Sequence, residues 1–107
     1  MRVRIYQINP KRDPERRLIF RGWKEFQQQG YERPPAELYD QVYSYWTKAT
    51  TPEGVYERFN LNQPANYRGR SLSPSDVVEF LWDTGEHSFF FCDIIGFQPV
   101  EFDAERK

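Results

Sequence analysis

Residues 66–80 read NYRGRSLSPSDVVEF, and how this stretch folds decides the architecture around it. Ser73-Pro74-Ser75-Asp76 can open a helix, with serine as the cap and proline at the first helical position. It can equally form a type I turn, with proline second, that delivers Val77 into a strand. The residues that follow favour the turn. Val77–Trp82 is an apolar run, Asp83-Thr84-Gly85-Glu86 is a turn with glycine where positive φ is needed, and Ser88–Ile94 returns as the partner strand. The expected element is a hairpin over 77–94, with Asp76 bracing the bend through hydrogen bonds to nearby backbone.

Further on, Phe97–Phe102 alternates as another strand, and Pro99 places it at a sheet edge. Upstream, Val3–Ile8 alternates apolar residues with Arg4 and Gln7, the pattern of a half-buried strand that Asn9-Pro10 ends. Lys11–Arg17 reads as loop and Leu18-Ile19-Phe20 as a short extended piece. Gly22–Gly30 reads as a short helix with Trp23 and Phe26 on one face and Gly30 after its end. Leu38–Trp46 is ambiguous by periodicity, but its tyrosines and Val42 favour a strand over Gln41–Trp46. Thr51-Pro52-Glu53 starts a second helix with a hydroxyl cap, proline and an acid in the first turn, and Val55 and Phe59 lie one turn apart. Asn60 is its expected stop, and Leu61–Gly69 reads as loop.

The 107 residues bound the chain to a single domain, 1–107. Only 38% of residues are apolar, but 18% are aromatic. Each such ring buries ~150–250 Å², so few residues are needed to build a core. The expected fold is α+β: a small, mostly antiparallel sheet, curled toward a barrel, with two short helices on one side of it.

Charge is unevenly placed. Positions 1–33 hold nine Lys/Arg against four acids, while positions 71–105 hold eight acids and no Lys or Arg. Either a basic N-terminal strand pairs with acidic C-terminal strands in one sheet, or a basic face meets nucleic acid. The near-neutral total, a formal net charge of −1, favours the first, since it exerts little pull on phosphates.

Chemistry is sparse. His87, the one histidine, follows the hairpin turn and is expected to be exposed; a general-base role would need a nucleophile or an orienting acid beside it. Cys92, the one cysteine, sits in an aromatic strand-forming run, as a buried thiol would. One histidine and one cysteine cannot form the usual zinc sets, and no phosphate-loop pattern is present. The expectations are therefore no catalytic residues, no cofactor, no metal and no membrane span. Cysteine usage suits a reducing, cytoplasmic setting.

Four segments carry a family resemblance: RVRIYQIN at 2–9, GVYERFN at 54–60, YRGRSLSPSDVVEF at 67–80 and FFFCDIIGFQPVEF at 89–102. Together they resemble the YodL-like domains, from Val3 to Phe102 and most strongly from Val55 onward. RGRSLSPSDVV is the most specific piece. Gly54, where a helix former is usual, and Glu79, polar within a strand, depart from the pattern. The resemblance implies a small bacterial domain of mobile genetic elements, with no established enzymatic activity. It points to a non-enzymatic, protein-binding accessory or regulatory module whose partner is another protein. The loop formed by Tyr67, Arg68, Arg70, Ser71 and Ser73, with Asp76 as its strut, is the expected contact surface. The alternative is a nucleic-acid-binding domain, using Arg2, Arg4, Arg16 and Arg17 together with the ring and cations of Tyr67–Arg70. In the competing structural reading of that loop, one arginine pairs with Asp76 or another acid of the C-terminal third and Tyr67 packs on the core.

Overall fold

The computed structural model describes residues 1–61, 63, 67 and 70–104. Among these residues five strands and two α-helices follow in chain order: β1 (Arg2–Ile8), α1 (Trp23–Gln28), β2 (Tyr39–Trp46), α2 (Pro52–Leu61), β3 (Val77–Leu81), β4 (His87–Cys92) and β5 (Phe97–Val100). The strands form one sheet in the order β2-β1-β3-β4-β5, and every neighbouring pair is antiparallel. The fold is α+β as expected, but the sheet is open. β2 and β5 form its two edges and do not pair, so no barrel closes.

The Ser73–Asp76 bend is a turn, and the hairpin follows it. The Asp76 amide donates to Ser73 O at 3.1 Å, and β3 and β4 then pair in register from Val77 opposite Phe91 to Leu81 opposite His87. Gly85, at φ 89°, closes the hairpin. The bend itself departs from type I. Ser75 has φ 83°, the left-handed conformation that the third residue of a type II turn requires. Tertiary contacts hold it there. Tyr39 Oη donates to Ser75 O at 2.6 Å, the Ser75 amide donates to Cys92 O at 2.9 Å, and the Phe20 amide donates to Ser75 Oγ at 3.1 Å.

The helices do not share a side. Successive strand residues face opposite ways, and β3 is buried on both of its faces. Val78 and Phe80 join Val3 and Ile5 of β1 in a core that Val55 and Phe59 of α2 cover. Val77 joins Tyr6, Ile8 and Phe91 in a second core that Phe26 of α1 covers. One helix on each face is what a central strand with apolar residues on both faces demands, because either face left bare would expose a row of valine and aromatic surface.

Local chemistry explains the helix starts and the breaks. Thr51 Oγ1 accepts from the Gly54 amide at 3.2 Å, which is the expected cap. A Cβ on Gly54 would lie 3.1 Å from Ala49 Cβ, so close packing accounts for glycine within α2. α2 runs one residue past Asn60, to Leu61. Leu18–Phe20 is a turn, not an extended piece. The Asp13 carboxylate collects the amides of Arg17, Leu18 and Ile19 at 2.8–3.0 Å, so these donors are not available to a strand ladder. Among the described residues no helix is long and apolar enough to cross a membrane.

Candidate functional site

Tyr67, Leu72, Ser75 and Asp76 of the opening stretch turn inward. Tyr67 is buried against Tyr43 and Phe59, and its hydroxyl donates to Arg70 O at 2.5 Å. Arg70 Nη2 lies 3.3 Å from Asp76 Oδ1, and its guanidinium sits over the Phe20 ring. The fully buried Asp76 also accepts from the Ser73 amide at 2.9 Å and from Gln7 Nε2 at 3.0 Å. Gln7 reaches Arg70 O as well, at 2.9 Å, tying β1 to the loop. Burial pushes the Asp76 carboxyl up to about 7, against the opposing pull of Arg70, the Ser73 amide and Gln7. Ser71 Oγ accepts from Gln63 and Ser73 Oγ donates to Ser71 O, so both hydroxyls serve the loop itself. Arg68 lies outside the described residues. What the structure brings together here is a brace, with Gln7 the member that the sequence did not reveal.

Three of the four candidate N-terminal arginines have side-chain partners. Arg2 donates to Ser44 Oγ at 2.8 Å and lies over the Trp46 ring, and Arg17 pairs with Glu15 at 2.8 Å. Arg4 stands opposite Glu79 in the β1–β3 register, with Nη1 3.6 Å from Glu79 Oε1. Arg16 occupies a left-handed position in the turn after Asp13, φ 54°. The uneven charge in the sequence is thus resolved partly as cross-strand pairing.

His87 is exposed, as expected, but it has a buried partner. It opens β4, and its side chain is 48% exposed, but Nδ1 contacts Oε2 of Glu79, which is 1% exposed. Tyr6 Oη donates to Glu79 Oε1 at 2.7 Å. Beside this cluster lies a cleft of about 500 Å³ lined by Arg4, Glu79, His87, Phe89, Phe102 and Asp103. Among the described residues, no three His, Cys, Asp or Glu side chains gather as a metal site. Cys92 is buried, and burial together with the charges of Asp76 and Asp93 pushes its thiol up to about 12, far from a reactive thiolate.

A family model of the YodL-like domain matches residues 2–102, nearly the whole chain. The chain belongs to the YodL-like domain family. No curated protein and no solved structure matches it.

This YodL-like domain carries one further feature, an exposed apolar patch. The β4–β5 connection presents Ile94 and Ile95 at 65% and 88% exposure, next to Leu61 at 83% and the half-exposed Tyr56 on α2. Ile94, Tyr56 and Leu61 border a groove of about 430 Å³ that Pro74 and Phe97 also line, with Glu53, Glu57 and Asp93 as its acids; Ile95 follows Ile94 in the turn but does not line the groove. The turn that presents the isoleucines is firmly built. Asp93 Oδ1 accepts the Ile94 amide at 2.8 Å and the Trp23 amide at 3.1 Å, Oδ2 accepts Gln98 Nε2 at 3.2 Å, and Gly96 takes φ 73°. Gly22 packs against it so closely that a Cβ there would come within 2.8 Å of Asp93 Oδ1 and Ile94 Cγ1. The sequence signal was available in DIIG, two isoleucines inside a turn framed by aspartate and glycine.

Proposed function

We propose that this YodL-like domain is a non-enzymatic protein-binding module, an accessory or regulatory element of a bacterial mobile-element context, and that its partner docks on the Ile94–Ile95 patch. The carrying observation is the pair of exposed isoleucines on a hydrogen-bonded turn beside the α2 groove. A rigid turn that presents large apolar side chains to water gains nothing for the fold, and such patches are what docking surfaces are made of. Three acids line the groove, so the fitting partner is an apolar segment flanked by lysine or arginine. Pro74 lines the groove, so the Ser73–Asp76 bend borders the contact surface while its polar side chains hold the bend in shape.

The pairing of Arg2, Arg4, Arg17 and Arg70 with neighbouring side chains leaves less cationic surface for phosphates and supports a protein partner over nucleic acid. The test is affinity capture from the native host with the wild-type domain and with an Ile94→Ser/Ile95→Asp variant. Ile95 projects into solvent and Ile94 keeps only a partial contact with Gly22, so melting should fall only slightly, while capture of the partner should fall by tenfold or more. Equal capture by a folded variant removes the patch from consideration.

A further inference from the structure

Glu79 is a buried acid on the central strand β3. A carboxylate at 1% exposure on the face of a central strand carries a large desolvation cost, which an aliphatic side chain there would not. Its environment shows what it organises. Tyr6 Oη holds Oε1 from within the core, Arg4 Nη1 approaches the same oxygen at 3.6 Å, and His87 Nδ1 holds Oε2. The two partners that reach the surface are both nitrogen donors, and both line the 500 Å³ cleft. With Nδ1 committed to Glu79, Nε2 is the ring nitrogen left for a ligand. Phe89, which stacks against His87, and Phe102 supply apolar walls. Asp103, the other acid of the lining, already pairs with Arg33 at 3.1 Å.

We propose that this cleft is a receptor for a small oxyanion bearing an aromatic or apolar body, and that Glu79 is the positioning residue that fixes Arg4 and His87 for it. The oxyanion accepts from the Arg4 guanidinium and from Nε2–H of the His87 imidazolium, the form in which Nδ1–H also donates to Glu79, and the body lies along Phe89 and Phe102. A buried anion that holds two surface donors in place removes the entropy they would otherwise lose on binding. The cleft volume falls within the range of small-molecule sites. Among the described residues no hydroxyl or thiol lines the cleft, so the arrangement suits holding a ligand and not nucleophilic attack on it. The site is separate from the Ile94–Ile95 patch, and its test does not depend on a protein partner.

The probes are phenyl phosphate and phenylacetate, with inorganic phosphate and benzyl alcohol as controls, followed by ¹H–¹⁵N NMR at low-millimolar concentration. Saturable shifts of the His87, Phe89 and Asp103 amides are expected with the aryl anions, and much weaker ones with either control. Whichever aryl anion binds more tightly identifies phosphate or carboxylate as the preferred head group. Arg4→Gln and, separately, His87→Gln should each weaken binding roughly tenfold, with the rest of the spectrum preserved. The proposal is overturned if neither aryl anion saturates, if a control binds as tightly as the aryl anions, or if both folded variants bind like the wild type.

Discussion

Arg4 on β1 and Glu79 on β3 stand directly opposite each other, with Tyr6 hydrogen-bonded to the same carboxylate oxygen that Arg4 approaches. The three form a charged ladder across the middle of the sheet, one end in the core and the other in the cleft. Removing the carboxylate affects its partners unequally. Arg4 is a third exposed and can be rehydrated, but the Tyr6 hydroxyl is buried.

Glu79→Leu should therefore destabilise the domain by about 1–3 kcal/mol, most of it from the stranded Tyr6 hydroxyl. Tyr6→Phe in the Glu79→Leu background should recover a large part of that loss, giving a coupling well outside simple additivity. Urea midpoints of the four proteins in this cycle measure it. Additive single and double variants would place the cost elsewhere.

Asp76 makes stability depend on pH. Burial raises its carboxyl from the ordinary 3.8 to about 7, so the folded chain binds this proton more tightly than the unfolded chain does. The contribution is fully present below 3.8, shrinks as pH rises and is lost once pH passes about 7. The melting temperature should thus fall between mildly acidic and mildly alkaline buffer. Asp76→Asn should flatten that slope, and the difference between the two profiles isolates Asp76 from every other titrating group. Parallel profiles would contradict the assignment.

Ser75 at φ 83° is a serine in a conformation that favours glycine. Ser75→Gly and Ser75→Ala both lose the Oγ that accepts the Phe20 amide, so their difference reports the backbone alone. The alanine variant should be the less stable by about 1 kcal/mol, read by thermal unfolding. Equal stability would mean that the turn relaxes out of the left-handed region.

Much of the fold was readable because its signals are local. Proline after serine, glycine at the hairpin turn and alternation in Val3–Ile8 each constrain the backbone within a few residues. Those signals placed β1, α1, α2 and the β3–β4 hairpin near their observed bounds. The Arg70–Asp76 pair and the buried Tyr67 agree with the structural reading of the loop. Glu79 stood out as polar within a strand, but its partners, the role of Gln7 and the Ile94–Ile95 patch were not legible, because each acquires its meaning from partners distant in sequence. Gln7 meets Asp76 across 69 residues, and Tyr6 meets Glu79 across 73.

By itself, then, the chain's residue order determined which segments extend, which coil and where the bends fall, since steric preference and hydrogen-bond competition act between near neighbours. Only the tertiary structure decided that the sheet stays open, that α1 and α2 cover opposite faces, and that a carboxylate inside the sheet holds an arginine and a histidine at a cleft. Those outcomes depend on which strands become neighbours, and strand order is fixed by burying both faces of β3 at once, a condition no short window of residues contains.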